Sequence, residues 1–209
     1  MTGGMLPDGQ GGGIASLLAR MDAGCRGLAR LMLLASGWAV LFMGVLVAAD
    51  VIWRAVSGSN FGGVDEIASY LLAISISWSL AAAFHARAHI RVDLVYRKFP
   101  LPVRAVVDGL ATLSLLGVAL FLLYSSWTVL GTSWSRGSTS ASTLQIPMVV
   151  PQATWGFGAV VFFAALLVSW ARLIVDLLGG RFLDVVRRHG VLSPDEEAMD
   201  ALTQSRGGH

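Results

Sequence analysis

Four long apolar runs, separated by short arginine-bearing segments, set the pattern of this chain. Uncharged stretches extend from Leu31 to Ala49, from Ile67 to Phe84, from Gly109 to Ser135 and from Gly137 to Ala171. An α-helix rises about 1.5 Å per residue, so roughly 20 apolar residues cross a hydrocarbon layer about 30 Å thick. The first three runs fit one crossing each. The fourth has a polar part, Gly137 to Gln145, and an apolar part from about Pro151, which predicts a loop and then one crossing. The runs are continuous, whereas the strands of a membrane barrel alternate. In hydrocarbon every backbone N–H and C=O needs an internal partner, so the crossings are expected to be helices. The expected fold is an all-α integral membrane protein with a transmembrane domain over residues 28–176. Its four spans are expected at about 30–53, 64–85, 105–130 and 152–174.

The flanks differ from this domain. Residues 1–13 are Gly-rich and expected to be a disordered leader. From Ile14 the apolar residues Leu17, Leu18, Met21, Cys25 and Leu28 recur at helical spacing, while Arg20, Asp22, Arg26 and Arg30 lie mostly off that stripe. This predicts an amphipathic helix over 14–27, lying along the membrane interface and drawn to anionic headgroups. Gly24 and Gly27 favour a break before the first span. That span is read as an uncleaved signal anchor, because its apolar run exceeds the roughly 7–15 residues of a cleaved signal. Residues 177–209 form a tail in which Ser193-Pro194-Asp195-Glu196 reads as a helix start.

Charge placement sets the orientation. Of the 15 Lys and Arg residues, only Arg54 and Arg136 fall in the first and third loops; the rest lie before span one, between spans two and three, or after span four. By the positive-inside rule both termini and the middle loop are cytoplasmic. Trp53, Trp134 and Trp155 are then expected near the outer interface, and Tyr96 and Trp170 near the inner one. Composition agrees: charged residues are 13%, against about 25% in soluble domains. A net charge of +2 gives no reason to expect nucleic acid, and the single cysteine excludes an intrachain disulfide or a thiolate cluster.

Candidate chemistry is sparse. In span two, Ser69, Ala73, Ser77 and Ala81 form a row at four-residue spacing, and Ser75, Ser79 and Ala83 form another. Membrane helices associate through small residues, so this span is expected to be packed by protein on more than one side, within the bundle or against a second polypeptide. Asp50 and Arg54 end span one where Asp65 and Glu66 begin span two, across a loop containing Gly58, Gly62 and Gly63. They read as a structural polar cluster in which Arg54 pairs with Glu66, with an ion or proton site as the alternative. His85 and His89 share a helix face but lack a ligand from another span, so no haem or zinc site is expected. No metal, cofactor or catalytic set is expected.

These residues resemble the small membrane subunit of tripartite ATP-independent periplasmic (TRAP) transporters, the DctQ-like family. Arg54, the Asp65-Glu66 pair and the small-residue run from Trp78 to Ala83 carry part of the resemblance. So do the segment His85 to Asp93, with His89-Ile90-Arg91-Val92-Asp93 its most specific part, and Leu144-Gln145-Ile146-Pro147-Met148 with Pro151. The resemblance implies a bacterial inner-membrane subunit that pairs with a large multi-helix permease, to which a periplasmic binding protein delivers a substrate, commonly an organic acid. It implies a scaffold, not an enzyme, with no substrate site of its own. Candidate structural or partner contacts are Arg54, Asp65, Glu66, Ser69, Ala73, Ser77, Ala81, His89 and Asp93. Two rivals remain open: a membrane anchor for a haem or quinone enzyme, motivated by His85 and His89, and a self-contained homodimeric transporter, motivated by Asp50, Asp65 and Glu66.

Overall fold

The computed structural model of the chain describes residues 11–86, 100–142 and 144–179, and they form four helices. These are α1 (Gly11–Ser57), α2 (Val64–His85), α3 (Leu101–Arg136) and α4 (Val149–Leu178). All four contain a window long and apolar enough to cross a membrane. Helices α1, α3 and α4 extend past the expected spans, because a helix that keeps its backbone hydrogen bonds has no reason to stop at the lipid boundary. Prolines sit where they do least harm. Pro102 lies at the start of α3, and Pro151 in the first turn of α4, where N–H groups have no intrahelical acceptor.

The expected break at Gly24 and Gly27 is absent: α1 is helical through both, so residues 14–27 and the first span are one element. A glycine inside a helix costs about 1 kcal/mol. An interrupted backbone near lipid forfeits hydrogen bonds that nothing replaces, which is worse. The expected apolar stripe also changes meaning. Leu17, Met21 and Leu28 are exposed, and the polar Asp22 faces inward. Beside lipid, the apolar side of a helix can face out and the polar side in.

Helix α4 is the centre of the fold, packing against α1, α2 and α3, while α3 packs mainly on α4. One core cluster draws on all four helices: Ala29 and Met32 of α1, Ala81 and Ala82 of α2, Ala119 of α3, and Val161, Phe162 and Leu166 of α4. The contact pattern is narrow on the outer members. From Asp22 to Asp50 the covered positions of α1 are 22, 25, 29, 32, 36, 39, 43, 46 and 50, in steps of three and four. This is the seven-residue repeat of helices packed at a shallow angle. On α3 the buried residues are Asp108, Thr112, Ala119, Ser126 and Ser133, a seam of small or polar side chains. Small residues let backbones approach closely, which is how helices hold together where no hydrophobic force separates protein from solvent.

Candidate functional site

Following the arginine asymmetry, we call the end holding Asp50 and Glu66 the outer rim and the end holding Asp22 and Arg172 the inner rim. At the outer rim, Asp50 is buried and fully used. Its Oδ2 accepts from Arg54 Nη2 at 2.7 Å and its Oδ1 from the Phe61 amide at 2.9 Å. The Phe61 ring stacks on Trp53 with centroids 5.1 Å apart. The carboxylate thus ties the end of α1 to the loop that leads into α2. That loop turns through Gly58, Gly62 and Gly63, all at positive φ. A β-carbon at Gly63 would also collide with the Leu144 side chain, so the α3–α4 loop rests directly on the start of α2.

Glu66 lies on the other side of this junction. Its Oε1 accepts from the Tyr70 hydroxyl at 2.5 Å, and that hydroxyl is 3.2 Å from Met148 Sδ. Its Oε2 is buried without a hydrogen bond of good geometry, while the hydroxyls of Ser140 and Ser142 stand beside the carboxylate. The α3–α4 loop is itself knotted by an isolated antiparallel bridge between Thr139 and Pro147 and by the Ser140 amide donating to the Ile146 carbonyl at 2.9 Å. The expected Arg54–Glu66 pair is not made. Arg54 is captured one turn back on its own helix, where Asp50 needs no loop closure to reach it, and Glu66 turns towards the hydroxyls above α4. Asp65 is exposed. The four charges therefore form two local arrangements rather than one cluster.

The small-residue row of α2 divides in the same way. Ser77 is buried and donates to the Trp155 carbonyl at 2.6 Å. Trp78 Nε1 donates to the Thr154 carbonyl at 2.8 Å. A β-carbon at Gly158 would stand 2.8 Å from the Ser77 backbone carbon, so α2 and α4 touch backbone to backbone there. Ala81 lies in the core cluster, and Ser75, from the second row, donates to the Ser36 carbonyl of α1 at 3.3 Å. Ser69 and Ala73 are exposed, together with Leu72 and Ile76, on the outer half of α2. Half of the row thus serves the bundle and half faces away from it. His89 and Asp93 lie outside the described residues, as does the tail from residue 180.

The inner rim holds what the sequence pattern did not single out. Asp22 of α1 is buried, pairs with Arg26 at 2.5 Å, and accepts from Arg172 Nη1 of α4. The Arg172 side chain is only 16% exposed. His85, at the end of α2, comes under the charges of Asp22 and Arg26, and its Nε2 is buried without a hydrogen bond. Asp108 and Asp176 are buried at the same end of α3 and α4, each with an interaction of its own. The available signal was an acid four residues from an arginine near the inner end of α1, α3 and α4. Among the described residues no group of His, Cys, Asp and Glu could hold a metal ion. The rims fasten helices and loops, and the buried carboxylates of Asp22 and Asp50 are used in doing so.

No curated protein and no solved structure matches the chain. A family model does: that of the tripartite ATP-independent periplasmic transporters, DctQ component, over residues 43–176.

Proposed function

The chain belongs to the DctQ component family of TRAP transporters, and from that premise we propose that it scaffolds and anchors the large permease subunit of such a transporter. The family is a transporter component and not an enzyme family, and it is an inner-membrane component. With four spanning helices the chain is a multi-pass protein of the bacterial inner membrane. In TRAP systems the DctQ component works with a large membrane subunit and a periplasmic binding protein. The finer role is our own: the large subunit moves an organic acid with a coupling ion, and this chain holds it in the bilayer.

One observation carries the proposal. Among the described residues α1 and α3 each cover only a narrow seam and leave large side chains such as Trp38, Phe42, Phe121 and Trp127 exposed. The buried charges Asp50 at the outer rim and Asp22 with Arg172 at the inner rim are engaged in holding helices and loops. A carrier for a carboxylate needs a cation within its path near the midplane, and here the nearest arginines are rim residues. The exposed Arg20, Arg26 and Arg30 near the inner end of α1 suit contact with anionic headgroups, which supports an anchoring role.

The test is purification of the tagged chain from its native membranes in mild detergent, followed by mass spectrometry and reconstitution. A large membrane subunit is expected in stoichiometric amount, and organic-acid uptake is expected only with that subunit present. Uptake by the chain alone in proteoliposomes overturns the scaffold role.

A further inference from the structure

The outward face of α3 is built of two different halves. Opposite the seam of Thr112, Ala119 and Ser126, the inner half shows Val106, Leu110 and Leu113, which suit lipid tails. The outer half shows Gly117, Phe121, Tyr124, Thr128 and Gly131 along the same line. Tyr124 is 69% exposed, and its phenol makes no hydrogen bond among the described residues.

Depth makes this phenol costly. Asp108 and Arg136 bound the uncharged part of α3, and Tyr124 stands about 24 Å from the first and 18 Å from the second along the helix. A tyrosine side chain spans about 6–7 Å, so its hydroxyl cannot reach either interface. Tyrosine and tryptophan favour the interfacial belts, and a hydroxyl in hydrocarbon without an acceptor costs several kcal/mol on water-to-alkane scales. Trp127, 75% exposed, flanks the same face at nearly the same depth. No heavy atom would meet a β-carbon placed on Gly117 or Gly131 within 4 Å, so another backbone can come close at both. Thr128 already spends its hydroxyl on the Tyr124 carbonyl at 2.9 Å and contributes a methyl surface. Lipid tails satisfy none of this; a helix carrying a hydrogen-bond acceptor opposite Tyr124 does.

We propose that the outer half of the outward face of α3, centred on Tyr124, docks a transmembrane helix of the large permease subunit, which supplies the acceptor for the Tyr124 hydroxyl. This rests on the scaffold role proposed above. Docking there clamps α3 between α4 and the partner, giving a helix held by one narrow seam a second support.

A photoreactive phenylalanine analogue placed at Phe121 or at Leu110 tests the face in the full complex in native membranes. Position 121 is expected to form a covalent adduct with the large subunit, and position 110 none. Co-purification of the large subunit with no adduct at 121 overturns the docking face and leaves the scaffold role standing. Absence of co-purification overturns both. An adduct from 121 to a second copy of this chain, or equal adducts from 110 and 121, overturns the assignment of the outer half. Tyr124→Phe removes only the hydroxyl, and is expected to lower recovery of the complex about threefold or more while the isolated chain folds as before. Equal recovery overturns the hydrogen bond to the partner.

Discussion

Both rims pair a buried carboxylate with an arginine one turn along its own helix, and they differ in what that carboxylate reaches beyond it. At the inner rim, Asp22 and Arg172 are far apart in sequence and belong to different helices, so their pairing closes the bundle. At the outer rim, Asp50 finds Arg54 one turn along its own helix and a loop amide beyond it, so its bonds shape a connection. An ion pair between helices resists their separation. One within a helix survives separation and adds little to the fold. The inner end is therefore where helix association is most vulnerable, and the outer end is where loop shape is decided.

The strongest way to break the comparison is Asp22→Ala. It takes away the carboxylate that Arg172, largely buried, and Arg26 share. Removing one partner of a buried pair costs about 3–5 kcal/mol, and the partial exposure of Arg26 should bring this to roughly 2–4 kcal/mol. Unfolding of the isolated chain by SDS titration from mild detergent measures it. The double variant Asp22→Ala with Arg172→Leu should recover part of the loss, since the guanidinium that Asp22 compensates is then gone as well. Loss below about 0.5 kcal/mol for the single variant would show that the inner rim is no tighter than a surface pair.

Next comes Gly63→Ala, which tests the outer rim as a builder of loops. The residue sits at φ 78° against the Leu144 side chain. A left-handed backbone costs an alanine about 1–2 kcal/mol, and the collision must also displace the α3–α4 loop. The expected loss is about 1–2 kcal/mol, with faster proteolysis confined to the loop around Leu144. Unchanged protease sensitivity there would remove the mechanical link between the α1–α2 and α3–α4 connections.

The number and type of elements were legible in the sequence because continuous apolar runs have one solution in lipid. What packs on what was less so. In water an apolar stripe points inward, but beside lipid it need not, and so Leu17, Met21 and Leu28 give no hint that Asp22 is the inward residue of that turn. The pairing of Arg54 with Glu66 looked reasonable from their shared end of the membrane. It failed because a partner one helical turn away, Asp50, needs no loop geometry to be met. Ser77 and Ala81 were identifiable as packing residues by size alone, but only Gly158 opposite them explains why that half of the row, and not Ser69 and Ala73, meets α4.

The smallest effect is expected from Arg54→Ala, and it sharpens the comparison most. The Arg54 side chain is about half exposed, at 54%, and its partner sits at the i−4 position. Such pairs contribute about 0.3–0.5 kcal/mol. Asp50 also keeps the Phe61 amide when the guanidinium is gone, so the loop retains its anchor. Stability of the isolated chain should therefore fall by no more than about 0.5 kcal/mol. Recovery of the complex with the large subunit is a separate readout. If recovery drops while the chain's own stability does not, Arg54 is a partner contact that happens to rest on Asp50. If neither changes, the pair is local trim, and the work of the outer rim falls to Asp50, Gly63 and the loop that Leu144 presses onto α2.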